Sequence, residues 1–275
     1  IGGLIIATQP LLIAVLAAMA GSERLTAAAI LGLAISFVGS LVLFQDDGAA
    51  KIPRSEILLG SGLIFLAGLA WAVYVIFSKP LIQRYGSYKM SALTLAIAAP
   101  LLLVFASGKT WVVAFSLDSS ALFSLFFLVV IATFMSLMLW NFATGALRPT
   151  TVGASLYLVP IFAVLSGYLF LNEPITRNTL IAGSIILAGV AIAQFGPSLK
   201  WRGKLGGIAA VLFAVSVWGL VPVATRFLVL DVQPQTVMIL RVFPAGIIGL
   251  LAVAYLGVRP MPWDAWARII AAAVI

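Results

Sequence analysis

PIFAVLSGYLFLNEPIT, residues 160–176, is an apolar run that ends on a Glu and a Thr, and PLLIAVLAAMAGSERLT, residues 10–26, follows the same plan 150 residues earlier. At that offset Gly3 matches Gly153, Pro10 matches Pro160, Glu23 matches Glu173, Thr26 matches Thr176 and Gly39 matches Gly189. A second match runs at an offset of 147, where GSGLIFLAGLAWAVYVIFSKPL (60–81) aligns with GIAAVLFAVSVWGLVPVATRFL (207–228). It pairs Gly60 with Gly207, Trp71 with Trp218 and Lys79 with Arg226. Apolar helices share a small alphabet, so apolar matches alone carry little. Proline, glutamate, threonine and tryptophan recurring in register carry more.

The 275 residues are 63% hydrophobic and 9% charged, too little charge to cover a soluble domain, so the solvent for most side chains is lipid. A spanning helix needs ~20 apolar residues. Ten such runs follow one another: 2–20, 26–44, 57–78, 88–107, 120–145, 150–171, 178–196, 205–228, 235–257 and 263–275, the last too short to cross. A β-barrel would show alternating polarity instead. The first run lacks the basic start of a signal peptide. With no cysteine and no histidine, disulfides, thiolate metal sites and the usual general base are excluded, and no cofactor or metal is expected.

The net charge of +8 orients the chain rather than marking a nucleic-acid partner. If the loops around Lys109, Glu173 and Asp231 face outward, the opposite loops hold ten basic residues: Arg24, Lys79, Arg84, Lys89, Arg148, Lys200, Arg202, Lys204, Arg259 and Arg268. Outer loops hold five, Lys51, Arg54, Lys109, Arg177 and Arg226, together with six of the eight acids (Asp46, Asp47, Glu56, Asp118, Glu173 and Asp231). This two-to-one bias is the positive-inside pattern.

Matching runs lie five spans apart, and five is odd, so partners cross in opposite directions. The expected fold is therefore an all-α polytopic membrane protein of ten transmembrane helices built from two inverted five-helix repeats. Residues 1–275 form one transmembrane domain, with a complete repeat over 57–197. The other repeat is split between the chain ends, its last two helices in 1–45 and its first helices, the final one truncated, in 205–275. Three accounts of this order are open: a circular permutation joined at QFGPSLKWRGKLGG (194–207), a piece of a tandem array, or a cut and renumbered chain. In each, about one helix, on the order of 20 residues, is missing between Ile275 and Ile1.

These motifs resemble the drug/metabolite transporter superfamily, specifically its EamA-type members. LRPTTVGASLYLVPIFAVLSGYLFLNEPIT (147–176) followed by GSIILAGVAIAQF resembles the last two helices of an EamA unit, and LIIATQPLLIAVLAAMAGSERLT with Gly39 the same pair in the other unit. WGLVPVATRFL…QPQTVMILR (218–241) resembles the start of a first unit. The segment order departs from that of the family, whose members run from the 205–228 helix to the 26–44 helix within the first unit. The resemblance implies a metabolite exporter or permease of the bacterial inner membrane, acting on small polar molecules such as amino acids or amines. A monomer and a homodimer are both compatible with it.

Residues that could contact a substrate follow from the cost of polarity in lipid. Arg241, in TVMILRVFPAG, stands several residues inside its span, where a charge costs about 2.5–3.5 kcal/mol on insertion scales. It either faces a cavity and attracts an anionic group or snorkels to the interface. Trp71 and Trp218 match across the repeats at mid-helix, where two indoles could wall one pocket, and Tyr74 shares a face with Trp71. Asn141 is an amide in an apolar run and needs a partner, either substrate or another helix. Gln9 and Tyr157 precede Pro10 and Pro160 and could line the cavity or serve backbone groups released by the prolines. Pro100 and Pro222 would interrupt two further helices. Glu23 and Glu173 are expected to help cap the helices that follow them, near Thr26 and Thr176. No acid lies well inside a span, so no coupling carboxylate is visible.

Two other function classes fit less well. A membrane-embedded enzyme needs a nucleophile–base pair or metal ligands at one depth, and a scaffold needs larger soluble loops than these.

Overall fold

The computed structural model describes residues 2–44, 54–194, 204–228, 234–256 and 263–274. In chain order the helical segments are α1 (Gly2–Met19), α2 (Ala27–Leu43), α3 (Arg54–Tyr85), α4 (Ser87–Phe105), α5 (Ser119–Ala146), α6 (Pro149–Leu171), α7 (Arg177–Gln194), α8 (Leu205–Leu228), α9 (Pro234–Leu256) and α10 (Trp263–Val274), with a short helix, Gly108–Phe115, between α4 and α5. There is no strand among the described residues. Eight of these segments are long and apolar enough to cross a bilayer, which places the chain among polytopic helical membrane proteins. Two of the ten expected spans are shorter: α2 has 17 residues and α10 has 12. α2 thus stands at the lower limit of roughly 17 residues for a spanning helix, and α10, with a rise of about 18 Å, falls well below a hydrocarbon core of roughly 30 Å. Asp46, Asp47, Lys51, Lys200, Arg202, Asp231 and Arg259, and most of the 194–207 junction, lie outside the described residues, as do the side chains of Arg54, Glu56 and Lys109.

Two helices are broken at mid-depth. α1 turns at Ala7–Thr8 just before Pro10, and α6 turns at Leu156–Tyr157 just before Pro160. The prolines remove the amides that would continue each ladder. Thr8 Oγ1 donates to Ile5 O at 2.6 Å, so it is Thr8, not Gln9, that serves the backbone at the first break. Pro100 and Pro222 lie inside α4 and α8 without breaking either helix, and α4 ends in a 3₁₀ turn, Leu103–Phe105.

The packing rests on close helix crossings at small residues, as in lipid-embedded bundles generally. α2 lies on α7 with Gly32 against Gly189 and Gly39 against Ile186 and Ala182, and Ser36 Oγ donates to Ile186 O at 3.3 Å. α4 lies on α9 with Ala99 against Gly246 and Ala92 against Gly249. Both pairs are antiparallel, because rising numbers on one helix meet falling numbers on the other. α6 also packs on α8, α1 on α3, and α5 on α8. Leu58, Leu63, Leu66, Phe77, Leu169 and Leu250 point outward and exposed, the belt expected where the outer solvent is hydrocarbon.

The helix ends correct one expectation. Thr26 and Thr176 cap α2 and α7 alone, accepting from Ala29 N and Thr179 N at 3.1 Å each. Glu23 instead reaches the start of α6, accepting from Thr150 N at 3.0 Å and from Thr150 Oγ1, beside Arg148 Nε at 3.6 Å. Glu173 accepts from Arg226 Nη1 at 2.8 Å. Lys79 Nζ donates to Leu147 O. The α1–α2 turn, the end of α3 and the α5–α6 turn thus meet at one end of the bundle, called here the Lys79 end. The α6–α7 turn and the end of α8 meet at the other, the Arg226 end.

The α2–α7 crossing yields a test. A Cβ on Gly189 would stand 2.5 Å from Ser36 N and 2.6 Å from Gly32 O, whereas one on Gly183 meets nothing within 4 Å. Gly189→Ala should destabilise the protein by about 1–3 kcal/mol through overpacking. Gly183→Ala should be neutral or stabilising by roughly 0.5–1 kcal/mol. Thermal unfolding of the two variants in detergent reads the difference.

Candidate functional site

Between the two breaks, and open toward one end, the bundle holds a cavity of about 890 Å³. Its wall runs from Trp71 and Trp218 outward to Gly3, Phe44 and Thr179 at the Arg226 end. Gln9, Tyr157, Trp71, Trp218 and Arg241 all stand on this wall, brought together from five different helices. The matched indoles face each other, their ring centroids 5.8 Å apart and their planes at 73°. Edge-to-face pairs of this kind contribute about 0.5–1.5 kcal/mol beyond burial.

Arg241 is the one charged residue on the cavity wall among the described residues. Its Nε donates to Thr133 Oγ1 at 2.5 Å and its Nη2 to Ala132 O at 3.3 Å. Two of the five N–H donors of a guanidinium therefore go to α5, and no carboxylate among the described residues pairs with it. These bonds fix the head group in the wall, so Arg241 does not snorkel to the interface.

The acceptors exist because of a feature absent from the sequence reading. Over Phe127–Met135, α5 widens into a π-helix. Ser136 N bonds Ile131 O, and the hydroxyls of Thr133 and Ser136 also reach back five residues, each at 2.8 Å. A widened turn presents carbonyls that a tight ladder would consume. Here Ala132 O accepts from both Arg241 and Trp218 Nε1, the latter at 3.1 Å. One carbonyl therefore positions both the cation and one indole. Nothing in FLVVIATFM beyond a lone threonine signals this turn.

Tyr74 and Asn141 are placed elsewhere. Both are buried and neither lines the cavity. Tyr74 Oη donates to Asn141 Oδ1 at 3.0 Å, and Asn141 Nδ2 donates to Ser91 Oγ at 2.8 Å, which ties α3, α5 and α4. Of the two partners open to Asn141 from the sequence, the neighbouring helices take it. Trp140, passed over beside Asn141, is fully buried and packs on Trp71 and Trp218 at 5.7 and 5.1 Å. The mid-span indole that marks the other two tryptophans was its only available signal.

The EamA-like transporter family matches residues 58–194, which cover α3 to α7. An "Uncharacterized transporter" of Archaeoglobus fulgidus is 29% identical over 161 residues, 58% of this chain and 55% of the relative. A "Probable amino-acid metabolite efflux pump" of Escherichia coli K12 is 26% identical over 212 residues, 74% of this chain and 69% of the relative. A "Probable terminal-alkyne amino-acid exporter" of Streptantibioticus cattleyicolor is 29% identical over 194 residues, 69% of this chain and 62% of the relative. The chain spans between 55% and 66% of the length of the first curated relatives it matches. No solved structure matches it. The helical bundle, its lipid-facing belt and these likenesses converge: the chain is a multi-pass cell-membrane protein and belongs to the EamA-like transporter family.

Proposed function

We propose that this protein is a secondary transporter that exports small amino-acid-like metabolites through the mid-depth cavity. One observation carries the reading: a fixed arginine on an otherwise uncharged wall, facing two indoles and paired with no described acid. A guanidinium with donors to spare attracts a carboxylate, and indole faces accept an apolar body or an ammonium group. Free amines fit less well, because the wall offers them a like charge and no carboxylate. The names of two relatives, an amino-acid metabolite efflux pump and an amino-acid exporter, support the same class.

The mechanism we propose is alternating access between two inverted repeats. Its support is the arrangement of contacts. At the α2–α7 crossing Ser36 meets Ile186, its own match at an offset of 150; at the α4–α9 crossing Ala99 meets Gly246, its match at 147. Trp71 meets Trp218, again its match. Three residue pairs each related to themselves support a pseudo-two-fold axis between the repeats. Packing of α1 on α3 is likewise repeated by α6 on α8.

Flux of labelled amino acids in proteoliposomes tests the reading. Arg241→Ala and Trp71→Ala should each lower flux with expression intact, and Arg241→Ala should raise the half-saturating concentration by roughly tenfold or more, the worth of a charged hydrogen bond. Unchanged flux in both removes the site. Asn141→Ala should behave differently. It takes the Oδ1 acceptor from Tyr74 Oη, while Ser91 Oγ keeps its bond to Ser87 O; losing the buried acceptor costs about 1–3 kcal/mol, so the melting temperature falls while the half-saturating concentration holds.

A further inference from the structure

The cavity reaches the Arg226 end, yet the helix faces that line it continue toward the Lys79 end. A helix presents one face at intervals of three, four and seven residues. Seven residues beyond Trp71 on α3 is Ser78, and seven beyond Pro10 on α1 is Ala17. Trp140 of α5 and Thr150 of α6 lie on the Lys79 side of the π-turn and of the α6 break. Ser78, Ala17 and Trp140 are fully buried and Thr150 nearly so, and Ile13 of α1 lies within contact of the Gly153 position on α6. These helices line the cavity at one depth and are packed shut toward the Lys79 end.

That closed half carries a polar surplus. Four buried side-chain atoms among the described residues have no hydrogen-bond partner: Ser78 Oγ, Tyr85 Oη, Trp140 Nε1 and Tyr157 Oη. All four residues lie within about 12 Å of the Lys79 end at 1.5 Å per residue. A buried polar group without a protein partner is costly, so such groups collect where another state supplies them with partners.

The two ends are also held differently. Glu23 and Glu173 match, as do Lys79 and Arg226. At the Arg226 end the matched acid and base pair with each other, each side chain more than half exposed (54% and 58%), an arrangement that holds little. At the Lys79 end they are diverted. Glu23, its side chain only 6% exposed, grips Thr150 and Arg148, while Lys79 grips Leu147 O.

We propose that Glu23 is the bolt of a gate at the Lys79 end. By holding Thr150 and Arg148 it keeps α1 packed on α6 and shuts a second substrate-contacting surface, on which Ser78 and Trp140, with Tyr157 at its border with the cavity, offer their unpartnered groups to the polar atoms of the metabolite. Release of Glu23 opens this surface as the cavity at the Arg226 end closes. The inference rests on the alternating-access reading above, and its test needs no substrate, so failed flux and a failed bolt remain distinguishable.

The chain has no cysteine, so single cysteines report cleanly. In detergent-purified protein, Ala17→Cys reports the closed half and Ala163→Cys the cavity wall, each through its rate of reaction with a water-soluble maleimide. Alone, Ala17→Cys should react slowly and Ala163→Cys fast. Adding Glu23→Gln should raise the rate at position 17 by roughly tenfold, given the strength of hydrogen bonds to charged groups, and lower it at position 163. Thr150→Val, which removes one of the bolt's donors, should move both rates the same way. Adding Arg226→Gln, at the weakly held end, should leave position 17 slow. A position 17 that stays slow in folded Glu23→Gln and Thr150→Val, or both positions rising together, would overturn the proposal.

Discussion

Everything in this molecule follows from antiparallel helix crossings made at glycine, alanine and serine. Lipid offers no hydrophobic drive between helices, so association relies on contact distance, and contact distance relies on the absence of side chains. Where Gly32 meets Gly189, each backbone is the other's neighbour, and Ser36 bonds straight to the Ile186 carbonyl. A crossing this close leaves little room to slide. Two of them, α2 on α7 and α4 on α9, flank the centre, and the space between is lined by α1, α3, α5, α6 and α8 together with Arg241 of α9.

That space is built from local defects. Two helices turn ahead of prolines and a third widens by a π-turn. In a bilayer an irregular backbone persists only where it lines a cavity or is otherwise satisfied. Each defect meets that condition: Thr8 serves the first break, and Ala132 O takes two outside donors at the third. The charge of Arg241 is tolerated on the same terms, since the π-turn supplies oxygens for it without a counter-ion. The cavity thereby acquires a positive wall that no acid among the described residues neutralises.

The residue pattern made the spans, the paired indoles and the intramembrane arginine legible, because each depends on composition or on register along one helix. It was silent on what depends on distance between helices. Tyr74 shares the Trp71 face yet turns to Asn141, because a buried amide and a buried phenol satisfy each other at lower cost than either left alone. Glu23 sits three residues ahead of a capping threonine, a pattern that reads as local. Its partner is 127 residues away, and no local rule reaches that far. The two glutamates matched at an offset of 150 illustrate the limit best: one motif, two partners and two degrees of burial.

The proposed contrary threading of the two repeats has one direct measurement. Ser22→Cys and Asn172→Cys lie in the exposed turns after α1 and α6. In sealed vesicles of known orientation, an impermeant thiol reagent should reach Ser22→Cys from one face only and Asn172→Cys from the opposite face only. Labelling of both from a common face would contradict the antisymmetry, and the two-sided transport path with it.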